Sequence, residues 1–130
     1  MSTAQRYWRE IPRRYRLEAA KCTKCGFIAY PHRAICPQCK NREFTAINLS
    51  MNCKLLTYTV IHVAPSQFEG QAPYTVGVVE TEEGGRLTAN IADVEPEDLK
   101  VGMPLRLEFR LIQEDGDQGV LCYGHKAVPA

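Results

Sequence analysis

The pattern of hydrophobic and polar residues from about residue 46 onwards predicts β-strands. The clearest run covers residues 105–111, where apolar and charged side chains alternate, so one face is expected to be buried and the other wetted. Further runs are rich in β-branched and aromatic residues, at 55–63, 74–81, 86–91 and 119–126. Five short strands in this order predict a small Greek-key barrel of the OB type.

Turn signals separate the predicted strands. Residues 82–85 end in two glycines and predict a tight turn between the second and third strands. Residues 96–99 begin with proline and predict one helical turn between the third and fourth strands. Residues 115–117 contain a central glycine between two aspartates and predict the turn before the last strand. We therefore assign residues 46–130 to one OB-fold domain.

The first sixteen residues have a helical pattern instead. Four apolar side chains recur along one stripe of a helix over about residues 3–16, namely Tyr7, Trp8, Ile11 and Tyr15. Pro12 interrupts the pattern and predicts two short helical pieces. A helix this short cannot bury its aromatic stripe alone, so the stripe packs on its own chain or on a partner. Because Trp, Tyr and Arg most often anchor interfaces, we predict that residues 1–16 carry a partner interface.

Residues 17–45 show almost no hydrophobic periodicity and contain two CxxC pairs. The spacing is Cys22-x2-Cys25-x10-Cys36-x2-Cys39, in which each pair makes a tight turn that points two thiolates at one ion. Two such turns complete a tetrahedron, so the segment is predicted to be a rubredoxin-like metal ribbon. Zinc (Zn2+) is the expected ion, and iron is the rival. Four thiolates close the coordination shell, which makes the ion structural and leaves no position for substrate.

The residues near each CxxC pair bear on this prediction. Gly26 follows the first pair, where glycine can take a positive φ as the backbone folds round sulfur. Pro37 stiffens the second turn. Lys40 and Asn41 follow the second pair in place of a glycine, and Asn41 is expected to tolerate the left-handed conformation there. His32 also lies inside the ribbon as a rival ligand, but four thiolates already satisfy the ion.

Two of the six cysteines lie outside the pairs. Cys53 and Cys122 occur in or beside the predicted strands, and we expect both to be small buried hydrophobic residues. A catalytic thiol would need an activating partner, and neither has a His or Asp in a recognisable arrangement. The sequence also has no nucleophile elbow, P-loop or dinucleotide fingerprint. We therefore predict that the chain is not an enzyme on its own.

Charge is divided unevenly along the chain, although the net charge is only +1. Residues 1–42 carry ten Lys and Arg against two Glu, whereas residues 43–130 carry six basic and thirteen acidic residues. This division has three interpretations. The basic segment binds an anionic partner, the two halves attract each other, or the charges only solvate the surface. Because neither a run of about 18 apolar residues nor an apolar signal core occurs, we expect a cytoplasmic protein with no membrane span. A reducing compartment favours metal thiolates over disulfides.

The order of these motifs resembles one known family over essentially the whole chain. Tyr7-Trp8-Arg9 precedes the cysteine pairs and Tyr30-Pro31-His32-Arg33, and Pro73-Tyr74-x-Val76-Gly77 and Asp98-Leu99-x-Val101-Gly102 follow. This looks like the zinc-ribbon/OB-fold family of acyl-CoA-associated proteins. The resemblance implies a mainly β fold with an N-terminal helix, a rubredoxin-like zinc ribbon and a five-stranded OB-fold barrel. It also implies a scaffold subunit of thiolase or hydroxymethylglutaryl-CoA synthase type complexes, which helps to bind coenzyme A thioesters.

The resemblance gives the basic segment an anionic partner, coenzyme A. Arg and Lys of the ribbon are expected to bind its phosphates, and flat side chains to contact its adenine. The candidate contacts are Lys24, Phe27, Tyr30, His32 and Arg33. The alternative function is a single-stranded nucleic-acid-binding module, because OB barrels and zinc ribbons both bind single strands. The acidic barrel segment has the wrong sign of charge for a phosphate backbone, which disfavours that alternative.

Overall fold

The computed structural model describes residues 4–114 and 121–130, without the side chains of Ala4, Tyr7, Gln67 and Glu114. The turn predicted at 115–117 and the start of the last predicted strand at 119 therefore lie outside the described residues. The side chain of Tyr7 lies outside them too, although its backbone belongs to the first helix. Within the described ranges, no helix is long and apolar enough to cross a membrane.

One helix, α1, runs without a break from Ala4 to Arg16. The predicted division into two pieces at Pro12 is therefore wrong. Proline removes one backbone N–H from a helix, and the carbonyl that loses its partner can be hydrated because α1 lies on the surface, where Trp8 is 73% exposed. The Pro12 carbonyl also accepts a bond from the Arg16 Nε at 3.1 Å. The helix thus continues through the proline for one more turn.

Leu17 ends the helix in the left-handed conformation, with a φ of 52°. Its carbonyl accepts a hydrogen bond from the Leu49 N–H at 2.9 Å, and its side chain is wholly buried. Left-handed backbone costs a leucine roughly 1–2 kcal/mol, whereas full burial of the side chain contributes about 1.5–3 kcal/mol. Burial therefore offsets the strained backbone and holds the turn from the helix into the ribbon.

The ribbon contains a small antiparallel sheet that the sequence pattern did not predict. Strand β1 spans Glu18–Cys22, β2 spans Ile28–Ala29 and β3 spans Phe44–Asn48, in the order β2-β1-β3. The register places Ala20 of β1 opposite Ala29 on one side and Ala46 on the other. Small residues at these positions give no strong apolar alternation, which is why the pattern missed the strands.

Five strands close into a barrel, as predicted. They are β4 (Asn52–Ile61), β5 (Tyr74–Thr81), β6 (Arg86–Ile91), β7 (Pro104–Glu114) and β8 (Leu121–Pro129). Their order is β4-β5-β6-β8-β7, and β4 pairs with β7 to complete the circle. The predicted helical turn is a 3₁₀ turn at Pro96–Asp98, and a second 3₁₀ turn, Ser66–Gln71, was not predicted.

The barrel is joined least firmly between β6 and β8. These two strands are parallel, and their register contains a single pair, Ile91 opposite Ala127. The Ala92 N–H adds one bond to the Ala127 carbonyl at 2.8 Å. The other pairs of neighbouring strands in the barrel are antiparallel and share more register positions. By contrast, β6 and β8 are paired only near their carboxyl ends.

One hydrophobic core connects the ribbon to the barrel. The barrel contributes the fully buried side chains of Leu55, Val79 and Leu105. Leu17 and Ala19, which belong to the ribbon side, lie in the same cluster of buried residues. The ribbon therefore packs on the barrel through apolar contacts, which positions its metal-binding turns relative to the strands.

Candidate metal centre and adjoining clefts

The two CxxC turns bring four sulfur atoms together. The Sγ atoms of Cys22, Cys25, Cys36 and Cys39 all lie within 4.8 Å of one another. Two of the pairs join one turn to the other, with 3.5 Å between Cys22 and Cys39 and 3.5 Å between Cys25 and Cys36. A tetrahedral ion with bonds of about 2.3 Å separates its sulfur ligands by about 3.8 Å. The arrangement therefore fits one metal ion with a closed shell of four thiolates.

Matching backbone hydrogen bonds shape the two turns. In the first, the Gly26 N–H bonds to the Cys22 carbonyl at 3.1 Å. In the second, the Lys40 N–H bonds to the Cys36 carbonyl at 3.0 Å. Gly26 and Lys40 are the residues directly after the two pairs, and both have a positive φ, 78° and 64° respectively. The turns are therefore structural equivalents despite their different sequences.

Asn41 has a different role from the predicted one. Lys40, rather than Asn41, takes the left-handed conformation, because the positive φ falls on the residue directly after the second cysteine of each pair. Asn41 instead directs its side chain across the site, where Nδ2 lies 3.5 Å from the Cys22 Sγ and 3.1 Å from the Thr23 Oγ1. Sequence reasoning missed this contact because it depends on how the two turns face each other.

Three of the thiols, those of Cys22, Cys25 and Cys36, differ in how readily they ionise. Hydrogen bonds, chiefly from the Cys25 N–H and also from the Asn41 amide, outweigh burial and lower the pKa of Cys22 to about 5. Burial raises the pKa of Cys36, but backbone N–H groups of the same turn outweigh burial and lower it overall. At Cys25 the Phe27 N–H favours the thiolate, but burial and the neighbouring thiols raise the pKa to about 12. Four thiolates repel one another unless a cation lies between them, so this donor set suits a divalent ion.

The other His and Cys residues lie outside the sulfur cluster. His32 is exposed, and its ring centroid is 5.9 Å from that of Phe44. Among the described residues, the four cysteines form the only group of three or more His, Cys, Asp or Glu with metal-binding geometry. Cys53 and Cys122 are both buried, as predicted, and the Cys53 thiol donates to the Leu105 carbonyl at 3.5 Å.

Four of the five predicted coenzyme A contacts line one or both of two clefts. The first, which we call the helix cleft, has a volume of about 550 Å³ and includes Tyr30 and His32. It is formed by α1, Tyr30–His32, β6 and β8, together with Ile112 and Gln113 of β7. The second, which we call the ribbon cleft, has a volume of about 630 Å³ and includes Phe27, Tyr30 and Arg33. Lys24 is exposed and lines neither of them.

Sequence reasoning missed the basic side of the helix cleft. Arg6, Arg13 and Arg14 of α1 line it, together with Glu10 of the same helix. Glu10 and Arg13 form an ion pair of 3.7 Å. The helical spacing of these residues was the available signal, since residues three or four apart share one face of a helix.

A second face of α1 exposes aromatic residues. Trp8 is 73% exposed, Tyr15 60% and Ile11 40%. The Tyr15 ring meets Phe109 of β7 edge to face, with 5.3 Å between centroids, and Phe109 stacks on Tyr123 of β8 at 5.6 Å. Phe109 and Tyr123 are themselves partly exposed. The predicted stripe therefore extends onto the barrel, which only the packing of α1 on β8 reveals.

His125 of β8 lies at the inner end of this aromatic group. Its ring is 5.4 Å from that of Phe109, and it also lines the helix cleft. Burial lowers the pKa of His125, although the Arg14 carbonyl and the Glu108 carboxylate oppose this effect. The Nε2 atom is buried and has no hydrogen-bond partner among the described residues. Such an atom is uncommon in a folded protein.

Two family models cover most of the chain. Residues 9–45 match the rubredoxin-like zinc ribbon domain of ChsH2, and residues 48–110 match its C-terminal OB-fold domain. A DUF35 domain-containing scaffold protein of Methanocaldococcus jannaschii is 49% identical over 125 residues, which are 95% of this chain and 89% of that protein. The chain belongs to the DUF35 family. The match to a zinc ribbon domain agrees with the cluster of four sulfur atoms, and both indicate a structural metal ion.

Other relatives of the chain have names that refer to acyl-CoA enzymes. A probable enoyl-CoA hydratase alpha subunit of Thermomonospora curvata is 30% identical over 79% of this chain, which is 32% of that protein. The benzoylsuccinyl-CoA thiolase subunit BbsA of Thauera aromatica is 32% identical over 58% of this chain and 51% of its own length. Among solved structures, an Ltp2-ChsH2(DUF35) aldolase matches with a TM-score of 0.74 and 25% identity, over 99% of this chain and 96% of that one.

Proposed function

We propose that this chain is a non-catalytic, zinc-binding scaffold subunit of a thiolase-type acyl-CoA acyltransferase complex, which bridges enzyme subunits and helps to bind coenzyme A thioesters. Relatives named as scaffold proteins and as subunits of a thiolase and an enoyl-CoA hydratase support this role. The observation on which it chiefly rests is the exposed aromatic face of α1, which continues across β7 and β8.

The proposed docking face combines the features of a protein interface. Trp8, Ile11 and Tyr15 of α1 are exposed, and the rings of Phe109 and Tyr123 extend the same apolar surface onto the barrel. Tyrosine and tryptophan contribute large contact areas at interfaces and often dominate their binding energy. Tyr7 belongs to the same proposed face by its position in the sequence. A thiolase-type or hydroxymethylglutaryl-CoA synthase type subunit is the proposed partner.

The metal has a structural role in this proposal. Four thiolates from Cys22, Cys25, Cys36 and Cys39 would hold one Zn2+ and leave no open position for substrate or water. The bound ion would supply the crosslink that residues 17–45 need, because their sheet of five-residue and two-residue strands buries little apolar surface. Zinc is preferred to iron because the ribbon domain that the chain matches is a zinc ribbon.

The proposed contacts with the thioester lie around Tyr30, which lines both clefts. Phe27 and Arg33 would act from the ribbon cleft and His32 from the helix cleft, with Lys24 on the exposed surface nearby. A planar guanidinium binds phosphate oxygens in pairs, and flat rings stack on a base. The proposal thus assigns the polar end of coenzyme A to the ribbon side of the molecule.

Co-expression with a thiolase-type subunit from the same organism tests the scaffold role. We expect the two chains to elute together in size-exclusion chromatography and the complex to bind coenzyme A in calorimetry. A chain that elutes alone beside every thiolase-type and hydroxymethylglutaryl-CoA synthase type subunit of its host would refute the scaffold role. A complex that forms but does not bind coenzyme A would refute only the thioester contacts.

A further inference from the structure

The two barrel strands that share only one register pair leave room for another chain. Along Arg86–Ile91, β6 pairs with β5 on one side, and on its other side it pairs with β8 only at Ile91. β8 pairs with β7 from Leu121 to Pro129 and with β6 only at Ala127. The backbone N–H and C=O groups along such an edge need partners, and an extended chain supplies them at the spacing of a strand.

Both of these edges line the helix cleft. Residues 87–90 of β6 and 122–125 of β8 form its two strand walls. These walls contain no Asp, Glu, Lys or Arg. The volume of about 550 Å³ lies within the range of sites that enclose a bound ligand. The cleft therefore presents two uncharged strand edges to whatever enters it.

His125, which lines the same cleft, has an unmet hydrogen-bonding group. The Nε2 atom of His125 is buried and has no partner in the described part of the chain. A buried polar atom of this kind is ordinarily paired in a native structure, because leaving it unpaired costs about 1–3 kcal/mol. Because the Arg14 carbonyl accepts a hydrogen bond from the ring and Nε2 has no partner, Nδ1 is the donor and Nε2 of the neutral ring is an acceptor, to which an N–H of an inserted backbone can donate.

The helix side of the cleft favours an acidic ligand. Three arginines, Arg6, Arg13 and Arg14, line it against two glutamates, Glu10 and Glu18. The excess of positive charge lies on α1, away from the uncharged strand walls. Acidic side chains that flank an inserted strand would therefore meet arginine at the mouth of the cleft.

We propose that an extended, acidic segment of a partner subunit enters the helix cleft and pairs with β6 and β8 as an additional strand. Added strands bind mainly through main-chain hydrogen bonds, with specificity from alternate side chains. A polypeptide has a backbone N–H and C=O at every residue, about 3.3 Å apart, and can therefore pair with each position along a strand edge. The pantetheine arm of coenzyme A has only two amides and could pair with few of these positions. This inference rests on the proposed scaffold function for the existence of a partner, but not on the aromatic face as its docking site.

Short peptides test the inference on the full chain by amide NMR. The probe is acetyl-Glu-Val-Thr-Val-Glu-amide, and we expect saturable shifts of the amides at 87–90 and 122–125. The peptide with lysine in place of both glutamates is expected to bind at least about ten-fold more weakly, because the cleft side of α1 is basic. A peptide with proline at its centre lacks the necessary N–H and is expected to give no saturable shift.

Two matched tryptophan variants localise the binding. Thr88 is exposed in β6 and lines the helix cleft, and Thr59 is also exposed, in β4, but lines neither the helix cleft nor the ribbon cleft. Thr88→Trp is expected to weaken binding of the acidic peptide at least about ten-fold by filling the cleft, and Thr59→Trp to leave it unchanged. The amide spectra of the two unliganded variants establish that both are folded.

Three results would overturn the inference. They are equal binding of the acidic and lysine peptides, shifts confined to other parts of the chain, and edge shifts with pantetheine where the peptides give none. Peptide binding at the edges in a chain that elutes alone beside every thiolase-type and synthase-type subunit would refute the thiolase-type scaffold role but uphold the added strand. A chain that forms the complex but binds none of the peptides would uphold the scaffold role and refute the added strand.

Discussion

The side-chain nitrogen of Asn41 lies 3.5 Å from the sulfur of Cys22, so the second metal-binding turn donates a hydrogen bond to a sulfur of the first. The same Nδ2 bonds to the Glu43 carbonyl at 3.0 Å, which holds the amide in this orientation. Hydrogen bonds to metal ligands orient them and tune metal affinity. Asn41 therefore connects the two turns independently of the ion.

Replacing Asn41 by aspartate is expected to weaken metal binding by about 10–100-fold. The change keeps the shape of the side chain but replaces the N–H donor by an anionic oxygen. This oxygen and the Cys22 thiolate repel each other. Competition with a chromophoric chelator measures the affinity. Gln38→Glu is the matched control, because it adds the same charge to an exposed position of the same turn. Equal losses in the two variants would show that net charge, rather than the bond to Cys22, explains the effect.

The two turns also allow a matched backbone prediction. Gly26→Ala places a Cβ at a φ of 78° with no atom within 4 Å, so its cost is conformational and is expected to be about 1–2 kcal/mol. Lys40→Gly relieves a positive φ of 64° and is expected to be neutral or to stabilise by up to about 1 kcal/mol. Urea unfolding of the metal-bound proteins gives both values. Destabilisation by Lys40→Gly would contradict the equivalence of the turns.

Loss of a ligand is expected to remove the metal and destabilise the ribbon. Cys36 is wholly buried in the sulfur cluster, so we expect Cys36→Ser to lower bound metal from about one equivalent to well below half. Its melting temperature should fall by about 10 °C or more, because the ion contributes folding energy. Cys53→Ala, at a buried cysteine outside the cluster, is expected to keep the metal. Full metal content in Cys36→Ser, measured by elemental analysis, would refute the assignment.

The parts of this protein that sequence could predict are those encoded by local spacing. Two CxxC pairs predict a ribbon because a tight turn between the cysteines suffices to aim their sulfurs. Alternation along residues 105–111 predicts β7 because the barrel buries one face of that strand, including Leu105 and Leu107. The order of five strands then leaves few ways to close the barrel.

The parts that sequence missed arise from contacts between distant segments. Nothing around Asn41 indicates that its amide reaches Cys22, nineteen positions away in the chain. The helix cleft likewise assembles α1, Tyr30 and two strands that are remote in sequence. The prediction of a break at Pro12 was wrong because the low helix propensity of proline describes an isolated helix, whereas α1 packs against β1 and β8.

Removal of an aromatic anchor from α1 is expected to separate binding from folding. Trp8 is 73% exposed, so Trp8→Ala should leave the melting temperature nearly unchanged. Its affinity for the proposed partner should fall at least about 30-fold, as expected for an interface hot spot of about 2 kcal/mol or more. Val63→Ala, at a 90% exposed valine remote from α1 in the sequence, is the control. Unchanged affinity in Trp8→Ala, measured by calorimetry, would exclude this face as the docking site.

His125 is expected to make the protein less stable in acid. Because burial lowers its pKa in the folded state, the unfolded chain binds a proton first as the pH falls through about 6.5, and unfolding becomes more favourable. His125→Gln removes this contribution, so its free energy of unfolding should fall less between about pH 7.5 and about pH 5.5 than that of the unaltered chain. Protonation of the cysteine ligands affects both proteins alike and cancels in the comparison. His62→Gln, the same substitution at an exposed histidine, is the matched control. The same change in the free energy of unfolding with pH in all three proteins would mean that His125 has the same pKa in the folded and unfolded states.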